Sequence, residues 1–110
     1  MIEEIVLNWL KQELDVPVYM EEPANKPDTF VLIEKTGSGR DNCINHATLA
    51  IQSYALSMYN AAVLNESVKT AMDNIIQNDD VGASALNSDY NFTDETTKRY
   101  RYQCIYDLTY

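Results

Sequence analysis

Lys98-Arg99-Tyr100-Arg101-Tyr102-Gln103-Cys104-Ile105-Tyr106-Asp107-Leu108-Thr109-Tyr110 decides the fold, because it alternates along its whole length. Tyr100, Tyr102, Cys104, Tyr106, Leu108 and Tyr110 fall on one face, with Arg99, Arg101, Gln103, Ile105, Asp107 and Thr109 opposite. Successive side chains of a strand point to opposite sides, so this period of two predicts a long strand with one packed face. Any architecture for this chain must bury that row of aromatic and apolar side chains.

Working back toward the N-terminus, Asn87 to Thr97 is polar and rich in turn formers, and Ala83 to Leu86 reads as a short strand. Before it, Ala61, Leu64, Val68, Ala71, Met72 and Ile75 keep a helical apolar stripe up to Gln77, with Ser57 as N-cap and Asn78-Asp79-Asp80 with Gly82 as the stop. His46 to Leu56 predicts a strand with Leu49, Ile51 and Ala55 on one face and Thr48, Gln52 and Tyr54 on the other. Thr29 to Lys35 is β-branched and aromatic enough for another strand, and Thr36-Gly37-Ser38-Gly39-Arg40-Asp41-Asn42 breaks it into an expected exposed loop. Val16-Pro17-Val18-Tyr19-Met20 reads as a short extended segment, confined by Pro17 to a sheet edge. Ile2 to Leu14 is an amphipathic helix, ended by Asp15-Val16-Pro17.

The resulting order, α-β-β-β-α-β-β, has no βαβ rhythm and predicts an α+β fold, a mainly antiparallel sheet carrying two helices. At 110 residues the chain, 1–110, is expected to form a single domain with one core. Hydrophobic residues are 45% and charged residues 23%, which is ordinary globular usage. The net charge of -9 repels phosphate backbones and disfavours sequence-specific nucleic-acid binding. No apolar run is long enough to span a bilayer, and Met1-Ile2-Glu3-Glu4 lacks the start of a signal peptide, so a cytoplasmic protein with no membrane partner is expected.

Candidate chemistry is sparse. Cys43, Cys104 and the sole histidine, His46, cannot make a four-ligand zinc site, so no metal is expected, and the cysteines read as two reduced thiols. Gly37-Ser38-Gly39-Arg40 lacks the Lys-Ser/Thr and following helix of a P-loop and the third glycine of a dinucleotide fingerprint, so no cofactor is expected. Cys43 and His46 are a minimal thiol-catalysis pair, but residues three apart on a strand face opposite sides. The acidic pairs Glu3-Glu4, Glu21-Glu22 and Asp79-Asp80 read as solvated surface. Lys98-Arg99-Arg101 holds three of the eight cationic residues and is a candidate patch for an acidic neighbour; base stacking is disfavoured because the arginines and tyrosines of that strand lie on opposite faces and could not line one groove together. Eight tyrosines suit a protein packed against copies of itself.

An N-terminal amphipathic helix, Val16-Pro17-Val18-Tyr19 with Glu22-Pro23 after it, and Phe30-Val31-Leu32-Ile33-Glu34-Lys35-Thr36-Gly37 together resemble the opening of phage tail terminator, or tail-to-head joining, proteins of long-tailed bacteriophages. Leu49-Ala50-Ile51-Gln52-Ser53-Tyr54-Ala55 running into a helix with paired alanines, and Tyr90-Asn91-Phe92-Thr93-Asp94 before Arg99-Tyr100 and a closing strand, are similar to that family's later segments. The resemblance implies a structural virion protein with no reaction, catalytic residue, cofactor or metal. It implies a ring, commonly of six copies, that caps the tail tube, ends its polymerisation and docks to a head-completion protein. DNA would pass through the channel unread, and the protein would reside in the host cytoplasm and then in the virion tail. A closing ring needs two unlike surfaces on each subunit. Gly37, Ser38, Gly39, Arg40 and Asp41 of the expected loop, with Arg99 and Arg101, are the expected interface residues, and Asn87 to Thr97 is expected to order on contact. The competing readings are another head-tail connector or minor virion protein, and a small cytosolic α+β ligand-binding domain or enzyme with a site between the sheet and the second helix.

Overall fold

The computed structural model describes residues 1–110. In chain order the elements are α1 (Ile2–Glu13), β1 (Val18–Tyr19), β2 (Phe30–Asp41), β3 (Ile44–Ala55), α2 (Met58–Asp73), a 3-10 turn (Ile75–Gln77), β4 (Ala83–Asn91) and β5 (Tyr100–Thr109). The five strands form one sheet in the order β1-β2-β3-β5-β4. Every neighbouring pair is antiparallel except β1 with β2. The fold is therefore α+β with the element order expected from the residue pattern.

The period-2 row of β5 accounts for this arrangement. Cys104, Tyr106 and Leu108 are buried and lie beside Ile51, Leu49 and Ala47 of β3, which continue through Ile33 and Val31 of β2. Both helices cover that side: Ile2, Val6 and Leu10 of α1 and Leu64, Val68, Ala71 and Met72 of α2 complete one core with the strands. Ile2, Val6 and Leu10 recur at intervals of four, the spacing that stacks side chains on one helical face. Glu3 and Glu4 in the first turn and Lys11 in the last complement the helix dipole. The indole Nε1 of Trp9 donates to the Ala71 carbonyl at 2.8 Å, which sets α1 against α2.

Local signals act where expected at several element ends. The Ser57 hydroxyl accepts from the Asn60 backbone N–H at 3.1 Å, an N-cap for α2. The helix stops at Asp73 and the remaining apolar residue, Ile75, is buried by the short 3-10 turn. β1 lies at the sheet edge as Pro17 requires, and the Pro17 carbonyl accepts from Val31 N–H at 2.9 Å.

Two expected loops are strand instead. Residues 36–41 continue β2, paired from Gly37 with Thr48 to Asp41 with Ile44, with a bulge at Thr36. Gly37 and Gly39 sit in extended backbone, and a Cβ on either would meet nothing within 4 Å. This arm of the hairpin is exposed on both sides, so it carries no apolar alternation for a pattern reading to detect. The chain reverses at Asn42 and Cys43, with φ of 50° and 66°, the left-handed pair of a type I′ hairpin turn. Likewise Asn87 to Asn91 extends β4 past a bulge at Asn87, because an outer strand needs no apolar row to pair with β5.

Leu10 is fully buried between the helices and the sheet, so Leu10→Ala should lower unfolding free energy by about 2–5 kcal/mol in urea titration. Cys43→Gly should raise it by about 0.5–1 kcal/mol, since glycine adopts the left-handed turn position without the Cβ penalty, and the same titration measures that gain.

Candidate functional site

The helices pack on one side of the sheet, and on the other side the rows alternate aromatic and polar chemistry. One row is Phe30, Tyr54 and Arg101, taken in register from β2 to β5. The next is Leu32, Gln52, Gln103 and Tyr90, from β2 to β4. Phe30 stacks on Tyr54 with ring centroids 4.5 Å apart, and Tyr19 meets Phe30 edge-on at 6.0 Å.

A hydrogen-bond chain ties these rows together. Arg101 Nη1 donates to the Tyr54 hydroxyl at 2.9 Å, and that hydroxyl lies 3.0 Å from Gln52 Oε1. Gln52 Nε2 donates to Gln103 Oε1 at 2.8 Å, and Gln103 Nε2 donates to the Tyr90 hydroxyl at 2.5 Å. Each buried amide on this face therefore has a partner.

Arg101 is further fixed: its guanidinium lies 4.3 Å from the Phe92 ring centroid, and Nε donates to the Phe92 carbonyl at 2.6 Å. Arg99 stands 4.9 Å above Tyr54 and pairs with Glu22 on the β1–β2 loop. Lys26 lies 3.7 Å from the same carboxylate. The hydrogen bond from Arg99 holds the Glu22 carboxyl below its usual range, with desolvation opposing and Lys26 adding a smaller effect in the same direction. At the start of β5 these groups border a cleft of about 190 Å³ lined by Lys26, Lys98, Arg99, Phe30, Tyr54 and Tyr100 among others.

This arrangement corrects one inference from the pattern. Arg99, just before β5, and Tyr100, its first residue, both line the same cleft, because it opens at the strand's end where the Lys98 turn brings the chain in. Arg101, too, shares a face with aromatic rings, which come from Tyr54 and Phe92 rather than from its own strand.

The seven expected interface residues fall into two groups. Gly37, Ser38, Gly39, Arg40 and Asp41 lie on the hairpin arm, where Arg40 Nε donates to Asn45 Oδ1 at 3.0 Å. The arm adjoins the far end of β5, where His46 pairs with Thr109. Arg99 and Arg101 lie at its near end, about 30 Å away along the strand. Cys43 is exposed at the hairpin tip, and the ring of His46 has the Thr109 hydroxyl for a neighbour at 3.4 Å. Glu22 and Tyr54, which fix Arg99, were not among the expected residues. Glu22 is distant in sequence from Arg99, and only the pairing of β3 with β5 sets Tyr54 beside Arg101.

Beneath α2 lies a second polar cluster. Lys69 Nζ is 2.9 Å from Asp89 Oδ2, which also accepts from Asn65 Nδ2 at 3.2 Å. The Tyr106 hydroxyl lies 2.8 Å from Asp73 Oδ1 and 3.1 Å from the Lys69 carbonyl. Burial, and then the Asp73 carboxylate, push the Tyr106 phenol up, and burial pushes the Cys104 thiol up to about 12. Both groups are held protonated at neutral pH, the opposite of what a nucleophile requires. No group of three His, Cys, Asp or Glu side chains is placed to hold a metal ion, and no helix is long and apolar enough to cross a membrane.

No protein-family model matches the chain, and no curated protein matches it.

Glu22 offers a direct check of the cleft. Its lowered pKa means that the pairing stabilises the fold above the ordinary carboxylate range and is lost as pH falls through the lower folded value. In an NMR titration the Glu22 side-chain midpoint should lie below 4.5, the unshifted value, and Arg99→Gln should move it up.

Proposed function

We propose that this chain is a structural assembly subunit of the phage tail terminator type, which closes into a ring on the last ring of the tail tube, stops its growth and joins tail to head. The observation that carries this reading is the presence of two unlike free strand edges at the opposite ends of one sheet. β4 is an outer strand along its whole length, from Ala83 to Asn91, and β1 covers the opposite edge only at Val31 and Leu32. Unpaired strand edges recruit other chains, and two different surfaces are what a head-to-tail ring needs. The arm from Thr36 to Asn45 adds an exposed two-stranded projection for contact with the tube or the head.

Charge adds support. A chain of net charge -9 gives a channel wall that does not retain DNA, so the nucleic acid passes without being read. The rival pocket between sheet and second helix has less to recommend it, because its perturbed groups, Cys104 and Tyr106, are enclosed in the core. The expected partners are copies of the chain itself, a tube protein and a head-completion protein.

Electron microscopy of particles from a phage or prophage carrying an in-frame deletion of this gene tests the reading. Overlong or uncapped tails beside unattached filled heads are the expected result, and normal virions would overturn it.

A further inference from the structure

The cleft at the start of β5 is unusual in an acidic protein. Its lining holds Lys26, Lys98 and Arg99 against one carboxylate, Asp28, although the whole chain has 17 acidic and only 8 cationic residues. Lys26 and Arg99 share Glu22, whereas Lys98 is in no ion pair and is exposed. Phe30, Tyr54 and Tyr100 form its walls. Leu56 also lines it and is 67% exposed, and Tyr59, in the first turn of α2, is 76% exposed, too open for side chains of that size to be serving the core.

Complementary chemistry lies on the same subunit beyond the other end of α2. Ile76 is 54% exposed, and Asp79 and Asp80 follow it in a short turn. That turn is held rigid by Asn78, whose side-chain oxygen accepts from the Asp80 N–H at 2.9 Å and whose carbonyl accepts from Val81 N–H at 3.0 Å. An apolar anchor and two carboxylates thus stand ready on a pre-formed turn, which lowers the ordering cost of binding. The two patches are separated by the 16 residues of α2, about 24 Å, so they cannot meet within one molecule.

We propose that the 76–80 turn of one copy docks in the Lys98–Arg99 cleft of the next, with Asp79 and Asp80 on the cationic rim and Ile76 against the apolar surface around Leu56. This inference rests on the ring reading and names its interface. The contact is heterologous, so each subunit gives its turn to one neighbour and its cleft to the other, and repetition closes a ring where the rotation allows. Opposite charges at the rim would set orientation and register, while the apolar anchor supplies burial.

Charge reversal in the full-length chain tests it by sedimentation velocity over a range of concentrations. Wild type should self-associate, and both Lys98→Glu with Arg99→Glu and Asp79→Lys with Asp80→Lys should raise the apparent dissociation constant at least about tenfold. An equimolar mixture of the two variants should recover association, since the reversed cleft of one fits the reversed turn of the other. Lys98, Asp79 and Asp80 are exposed and Arg99 is half-buried against Glu22 and Tyr54, so a circular dichroism melt of each variant checks that it is folded; Lys98→Glu alone serves if the double cleft variant is not. Variants that associate like wild type, or a mixture that stays dissociated, would overturn the interface and leave ring formation to be explained by other surfaces. A wild-type chain that is monomeric at every concentration would also overturn it, while the deletion phenotype in virions tests the ring reading separately.

Discussion

Everything else in this molecule is arranged around the double-sided pairing of β3. It hydrogen-bonds to β2 on one side and β5 on the other over nearly its full length, and its inward residues Ala47, Leu49 and Ile51 are almost wholly enclosed. Satisfying both backbone edges of a strand while burying one side-chain row leaves the helices one place to go, the apolar face of the three central strands. The tie from Trp9 to Ala71 then fixes the two helices against each other. The opposite face, which neither helix covers, carries amides, aromatic rings and arginine that pack on one another.

How much of this was legible follows from what each segment buries. The inward rows of β3, β5 and the helices write themselves into the residue pattern because removing apolar side chains from water is what selects them. The hairpin arm has solvent on both sides and the outer half of β4 makes mainly polar contacts, so their pairing rests on backbone hydrogen bonds with no apolar row to mark it. Turn formers such as Gly37, Ser38 and Gly39 then suggest a loop, although extended backbone suits them as well. The type I′ turn at Asn42-Cys43 was hidden for a related reason: asparagine is a usual occupant of left-handed positions, and cysteine is not.

The cationic end of the sheet was partly legible. Arg99 and Arg101 stood out as a basic pair in an acidic chain, but which groups hold them depends on contacts far apart in sequence. Tyr54 reaches Arg101 through the β3–β5 register, and Glu22 reaches Arg99 from a loop at the other end of the chain. Stacking of guanidinium groups on aromatic rings keeps their charge available at the surface while restricting their motion. Arginine in such a setting is a rigid recognition element, unlike the solvated Lys98 beside it.

The position of β5 in the sheet has a consequence for how the protein is made. β5 is the last strand in chain order yet lies between β3 and β4, so the sheet's middle stays open until that segment emerges from the ribosome. Until then β3 presents an unpaired edge of backbone N–H and C=O groups and α2 has only part of its platform. Folding must wait for contacts that span some fifty residues, which makes for slow nucleation and a window in which nascent chains can pair with one another. That window sets a limit on how fast the protein can be synthesised without loss to aggregation.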